Sequence, residues 1–189
     1  IGLCLVGSEM CIRDSPVWYY YAVTACTLIP IIKEPVVNPA QVPDARPVQM
    51  GNVELRIIGR AVCNLHEVPL REFYEPQQLG ASTDGGLDVL VHLVRMHLET
   101  HPRHVIIKLG IKNMFNEVTR AAMIRVFERH PDLRSMVPFL FATHSPKSPV
   151  FYASGKHAKP CAEGSRQGAA EAGIAASAAI QEPLESCLL

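Results

Sequence analysis

The stretch from His104 to Val118, HVIIKLGIKNMFNEV, constrains the fold more than any other part of the chain. It begins with the apolar run Val105–Leu109, which is rich in β-branched residues, and such a run predicts a buried strand. The run breaks at Gly110 and continues through a turn that contains Phe115. A strand that ends in a glycine and a polar-aromatic turn is a common place for a catalytic group, although a core strand with a plain turn after it explains the same pattern.

The composition limits the kind of partner that the chain can bind. Of its 189 residues, 48% are hydrophobic and 19% are charged, which predicts a globular protein with a hydrophobic core. Its 18 basic and 18 acidic residues give a formal net charge of zero. A protein that grips nucleic acid along its length is usually basic, so binding to a template would require local basic patches or further parts.

The cysteines indicate a reducing compartment. No two of them form a C-x-x-C pair, so neither a zinc ribbon nor a redox motif is expected. Their scatter predicts free thiols in an intracellular protein, nuclear or cytoplasmic and not secreted. The six are Cys4, Cys11, Cys26, Cys63, Cys161 and Cys187.

The N-terminal region does not fit the rest of the chain. Residues 1–15 have no basic stretch before their apolar residues, so they make a poor signal peptide. Their tail, SEMCIRDS, resembles translated adapter sequence, and we expect an artefact there. The alternative is a genuine frayed terminus. The start at Ile1 suggests a fragment.

Pro16–Ile32 carries no charge but is shorter than the roughly 20 residues of a membrane span, so we expect no membrane partner. We expect a buried helix there and an extended segment over Leu28–Lys33.

Apolar periodicity and turn residues predict the remaining elements. Prolines predict an extended loop over Lys33–Pro47. The predicted helices and hairpin are Asn52–Phe73, capped by Asn52; Leu87–Thr100, capped by Thr83 or Asp84; Thr119–Phe141, broken near Pro131; a hairpin within Pro149–Ala162 that turns at Ser154-Gly155; and Ala172–Leu184.

The predicted helix Leu87–Thr100 has an apolar face and a histidine pair. His97 and His101 are four residues apart, and such a pair can share a metal ion. Glu99 lies two residues after His97, about 200° around the helix, so it would point away from that metal. Pro102 ends the helix at the same place, and the pattern does not predict a zinc site. The residues of the apolar face are Leu87, Leu90, Val91, Val94 and Leu98.

Several segments resemble, in order, the motifs of reverse transcriptases, especially those of non-LTR retrotransposons. Val105–Phe115 resembles motif A, which is an apolar strand, an Asp, four residues and an aromatic residue. Phe115 stands at the aromatic position, but Gly110 stands where the family has its metal-binding Asp. Glu163–Gly168 resembles the Gln-Gly turn of motif B, although Ala169–Glu171 departs from the family's continuation. Upstream, the Arg-Pro pair at 46–47 and the turn at 75–84 resemble parts of the fingers.

The resemblance implies an α+β fold, the partial fingers and palm of a right-hand polymerase, with helices packed on a small antiparallel sheet. Residues 16–102 would be fingers-like and residues 103–189 palm-like, ending before motif C. The implied activity is that of an RNA-directed DNA polymerase, a nucleotidyltransferase that uses an RNA template, a DNA primer, deoxynucleotides and Mg²⁺.

The resemblance also implies roles for individual residues. Lys33 and Arg46 would face the triphosphate, and Phe115 would be the steric gate beside the sugar of the nucleotide. Motif B would place its residues against the nucleotide and the template, with Gln167 and Gly168 at the nucleotide and Arg166 at the nucleic acid.

The departures from the family predict a fragment that is inactive by itself, a pseudoenzyme. Mg²⁺ requires oxygen ligands, and Gly110 has no side chain to offer one. No Asp-Asp pair, the mark of motif C, occurs in the sequence. Two alternatives are a non-catalytic nucleic-acid-binding remnant and an unrelated α/β interaction domain, and a structure in which Gly110, Phe115 and Gln167 are not adjacent would favour the second. No obligate protein partner is evident.

Overall fold

A computed structural model describes residues 22–33, 44–144, 147–157 and 160–187. The predictions for residues 1–21 and 34–43 lie outside these ranges. The described chain combines helices with a small sheet, which confirms the α+β class. The strands are β1 (Cys26–Ile32), β2 (Ala45–Gly51) and β3 (Val150–Tyr152). The helices are α1 (Val53–Leu65), α2 (Glu67–Tyr74), α3 (Leu79–Ser82), α4 (Gly86–Thr100), α5 (Met114–Glu117), α6 (Arg120–Arg129), a 3₁₀ helix (Pro131–Met136), α7 (Val137–His144) and α8 (Ala172–Ser186).

The sheet has the order β2-β1-β3 and is mixed, so the prediction of an antiparallel sheet holds only for its first pair. β1 pairs with β2 antiparallel and with β3 parallel. Pro30 lies opposite Pro47. The Lys33 N–H donates to the Asp44 carbonyl, so Lys33 and Asp44 form a hydrogen-bonded pair of the ladder. Antiparallel pairs alternate, so the two prolines occupy a pair whose N–H groups point away from the ladder, where proline is tolerated.

The first predicted helix is divided in two. Asn52 caps α1, as predicted, because its Oδ1 accepts a hydrogen bond from the Glu54 N–H at 3.0 Å. The chain then breaks at His66, and Pro69 falls in the first turn of α2. Proline cannot donate to the preceding turn, so it fits the start of a new helix better than the interior of a long one.

The core lies between α1, α2, α6, α7, α8 and the 3₁₀ helix, and it explains why these elements hold together. Helix α8 packs on α6, as its small buried alanines allow. The prediction that the helices over Thr119–Phe141 form a scaffold agrees with this burial. The core side chains are Leu55, Val62, Leu70, Tyr74, Met123, Val126, Phe127, Leu133, Met136, Phe139, Leu140, Ala175 and Ala178.

The prediction of a buried strand over Val105–Leu109 is wrong. The segment has no regular secondary structure, and all of its side chains are exposed, from Ile106 at 51% to Leu109 at 86%. An apolar run becomes a buried strand only when a neighbouring strand and a covering layer are present. The described sheet ends at β2 and β3 and does not extend to this segment.

Helix α4 forms as predicted, but its apolar face is not covered. Leu87 is 68% exposed and Val91 is 57% exposed. Neither Thr83 nor Asp84 caps the helix. Gly85 takes that position in the left-handed conformation and makes no side-chain cap. In the ranges that the structure describes, no helix is long and apolar enough to cross a membrane.

Candidate functional site around the Gly164–Gly168 turn

The turn Gly164–Gly168 lies directly against the segment that carries Phe115. The Ser165 N–H donates to the Phe115 carbonyl at 2.7 Å, and the Gly164 N–H donates to the Val118 carbonyl at 3.1 Å. Gly164 has φ +71°, and a Cβ at this position would lie 2.4 Å from the Phe115 carbonyl oxygen. Only glycine allows both this conformation and this close approach. Two of the segments that resemble polymerase motifs therefore meet backbone to backbone.

The other end of the same turn lies along strand β2. The Gln49 N–H donates to the Gln167 carbonyl at 2.8 Å. Gly168 has φ +120°, and a Cβ there would lie 2.9 Å from the Gln49 carbonyl oxygen. The turn thus joins the Phe115 segment to the strand that carries Arg46.

Lys33 and Arg46 lie on one face of the β1–β2 ladder. Arg46 lies directly opposite Ile31, so these two side chains are on the same face. Lys33 is two residues after Ile31, and side chains two residues apart along a strand share a face. Lys33 Nζ forms an ion pair with Asp44 Oδ2 at 2.7 Å. The pair is exposed, and such pairs contribute little stability, so an anionic ligand could compete for the ammonium.

Gly110 is separate from these contacts. It is exposed, and a Cβ built on it would meet no atom within 4 Å. The structure brings the backbone at Phe115 to the turn that carries Gln167, whereas Gly110 makes no comparable contact. The adjacency of all three residues is therefore not found, which favours the alternative of an unrelated α/β interaction domain.

Arg166 points into the protein. It is 2% exposed, and its Nη2 donates to the Thr143 carbonyl and to Ser148 Oγ. Burial, the largest cause, lowers the pKa of its guanidinium. The Arg166 side chain therefore bonds to protein acceptors rather than facing a nucleic acid. These buried bonds hold the Gly164–Gly168 turn in place.

Arg120 holds the same turn from another side. Its Nε donates to the Gly164 carbonyl at 3.0 Å and its Nη1 to the His144 carbonyl at 2.6 Å. Its Nη2 reaches the Cys161 carbonyl at 3.1 Å. One side chain of α6 therefore connects the Gly164–Gly168 turn, the end of α7 and the segment at Cys161.

The two guanidiniums influence a buried histidine. Burial first, and then the charges of Arg166 and Arg120, lower the pKa of His144 to about 3. Its Nδ1 lies 3.2 Å from the Leu140 carbonyl, so the neutral ring carries its proton there. His144 is thus a neutral packing residue at physiological pH.

Glu171 is the buried carboxyl of this region. It is 2% exposed, and its Oε1 has no hydrogen-bond partner. Burial is the largest cause that raises the pKa of Glu171, and the charge of Arg166 opposes this shift. The ionised form is therefore disfavoured in the folded protein.

We expect Glu171→Gln to stabilise the protein at pH 8 and to have little effect at pH 4. The pKa of Glu171 is higher in the folded protein than in the unfolded chain. The contribution of the protonated Glu171 to stability is therefore fully present below the unfolded pKa, and it is lost as the pH rises through the folded pKa. Removing the charge recovers this loss, by about 1–3 kcal/mol. Urea unfolding at both pH values measures the difference, and the exposed Glu163→Gln is the control. Equal effects at both pH values would contradict the raised pKa.

An open pocket of about 370 Å³ lies elsewhere, between α2 and the 3₁₀ helix. It is lined by several carboxylates and contains none of the predicted site residues, so it is a poor place for a nucleotide, whose phosphates they would repel. Its acidic lining residues are Glu72, Glu75, Asp132 and Glu185.

Two groups of residues in the structure were not predicted from the sequence. The structural roles of Arg120 and Gln49 depend on long-range contacts that no local pattern indicates. His104 lies close to the histidine pair, because the His104 N–H donates to the His101 carbonyl at 2.9 Å and the chain turns back there. The Pro102 that ended the predicted helix was the available signal for this turn.

The described residues do not fit a Mg²⁺ site. Among them, the side chains grouped closely enough to hold a metal ion are three histidines, and nitrogen ligands are not those that Mg²⁺ prefers. Comparisons of the chain with family models, curated proteins and solved structures gave no match.

Proposed function

We propose that the chain is a fingers-and-palm fragment of the reverse transcriptase type, which binds a primed template but does not catalyse DNA synthesis by itself. The observation that carries the proposal is the convergence at the Gly164–Gly168 turn. Three stretches that are far apart in the sequence each resemble a polymerase motif. Backbone hydrogen bonds join them, from Ser165 to Phe115 and, on the strand that carries the Arg-Pro pair at 46–47, from Gln49 to Gln167.

The roles within the fragment follow from the surfaces that are exposed. Arg46 and Lys33 present cationic groups on one face of the ladder, where they would bind phosphates of the nucleotide or the strand. Phe115 is half-buried, which suits a side chain that packs below a sugar. Gly110 supplies no carboxylate, so no step through a metal ion is assigned.

Binding and extension assays test this proposal together. We expect a fluorescent RNA–DNA primer-template to bind the full chain at low ionic strength and to dissociate as salt rises, because phosphate contacts release counterions. Arg46→Glu should weaken binding roughly fivefold and flatten the salt dependence, because it removes a phosphate contact. Arg56→Glu, an exposed arginine of α1, is the matched control.

The outcomes separate the parts of the proposal. With Mg²⁺ and deoxynucleotides we expect no primer extension, and clear extension would overturn the inactivity. Equal effects of Arg46→Glu and Arg56→Glu would overturn the binding face. Absence of binding at low salt would overturn the polymerase-like function as a whole.

The second candidate is an interaction domain, which the exposed apolar surface favours. Val105 is 80% exposed, Ile107 76% and Leu109 86%, and the face of α4 is exposed as well. Exposed patches of this kind often mark protein interfaces. Sedimentation equilibrium would support this candidate if the chain self-associates and Leu109→Lys abolishes the association.

A further inference from the structure

Three imidazoles meet at the C-terminal end of α4. His97 and His101 are one turn apart and stack with ring centroids 4.6 Å apart. His104 joins them, with centroids 4.8 Å from His101 and 5.1 Å from His97. All three side chains are exposed, and one nitrogen of each lies within 4.8 Å of the others.

The spacing is close to that of a metal site. Zinc–nitrogen bonds of about 2.0–2.1 Å in tetrahedral geometry place ligand nitrogens roughly 3.3 Å apart. His97 Nε2 and His104 Nδ1 are already 3.0 Å apart. Without a metal, one of these nitrogens donates a hydrogen bond to the other. A metal ion would replace that bond after the exposed rings rotate out of their stacked arrangement, so that their lone pairs converge.

A backbone carbonyl and a hydroxyl group orient the ring of His101. His101 Nδ1 lies 3.3 Å from the His97 carbonyl and 2.9 Å from Thr100 Oγ1. The Thr100 hydroxyl is itself directed to the Met96 carbonyl at 2.9 Å. The proton of His101 is thus held at Nδ1, which leaves the Nε2 lone pair for a metal, and such outer contacts commonly fix the tautomer of a ligating histidine.

We propose that His97, His101 and His104 bind one divalent transition-metal ion of the zinc class, each through one ring nitrogen. A fourth position stays open to solvent. Imidazole suits zinc, copper and nickel, whereas the hard ions Mg²⁺ and Ca²⁺ prefer oxygen, so the site discriminates against them. The proposal is independent of the polymerase-like function, since it uses none of the residues of the Gly164–Gly168 turn.

The proposal is tested on the full chain, which is purified without a polyhistidine tag and titrated with zinc chloride. We expect one zinc ion per chain by calorimetry and a rise in the melting temperature with zinc, because a ligand of the folded state stabilises it. His104→Ala should weaken binding at least tenfold, and the triple alanine variant should abolish it together with the thermal shift. All three residues are exposed, so these variants are expected to fold.

Two controls identify the ligands. His92→Ala changes an exposed histidine of the same helix outside the cluster and should leave the affinity unchanged. Cobalt(II) in place of zinc should give visible bands without a sulfur charge-transfer band, although four described cysteines are free. The proposal is overturned by a sulfur band, by equal affinity in the triple variant, or by calorimetry that finds no binding.

Discussion

Arg120→Met should lower the free energy of unfolding by about 3–5 kcal/mol, because several buried carbonyls lose a charged donor and each unsatisfied group costs roughly 1–3 kcal/mol. Arg120 is 8% exposed, and its guanidinium donates to the carbonyls of Gly164, His144 and Cys161. Methionine preserves much of the aliphatic stem but no donor. The carbonyls then lose partners in a place that water reaches poorly, and each costs free energy.

Urea unfolding followed by far-UV circular dichroism measures this change. Arg125→Met is the matched control, because Arg125 lies on the same helix and is exposed. It should change the stability by less than about 0.5 kcal/mol. A loss below about 1 kcal/mol for Arg120→Met would show that water replaces the guanidinium, and that the turn does not depend on it.

Phe127→Ala should have an effect of similar size, about 3–5 kcal/mol, through a different cause. Phe127 lies on α6, is 0% exposed and belongs to the hydrophobic core. Alanine at this position would leave a cavity that the surrounding helices fill only in part. Phe141→Ala is the control, since Phe141 lies on α7 with 58% of its surface exposed.

Thermal and urea unfolding of both phenylalanine variants give the comparison. The control should lose less than about 1 kcal/mol, because little apolar surface is withdrawn from water at that position. Equal losses in the two variants would contradict the core placement of α6. Phe127→Leu, which preserves most of the volume, should recover most of the stability.

The sequence predicted the helices of the core well, because apolar periodicity reflects the face that a helix presents. The start of α8 at Ala172 agrees with the prediction, although the helix continues past the predicted Leu184 to Ser186. The Asn52 cap and the turn at Gly155 also agree, and these were predicted from residue type rather than from periodicity. The same reasoning failed for Val105–Leu109 and for the face of α4. Periodicity shows which side chains would gain from burial, but not whether another element covers them.

The candidate site was predictable only in part for a related reason. The residue types at 115 and 164–168 indicated which segments to compare, but their contact depends on folding over about 50 residues of intervening chain. The inward direction of Arg166 and the bond between Gln49 and Gln167 depend on tertiary contacts. Short motifs do not encode such contacts.

Two glycines of this chain differ in how freely they can mutate. A Cβ at Gly110 would meet no atom within 4 Å, whereas one at Gly164 would lie 2.4 Å from the Phe115 carbonyl oxygen. Selection for a folded chain therefore acts on position 164 and leaves position 110 free to drift. In a population of related genes, variation at 110 would report on selection for chemistry, and variation at 164 would report on selection for folding.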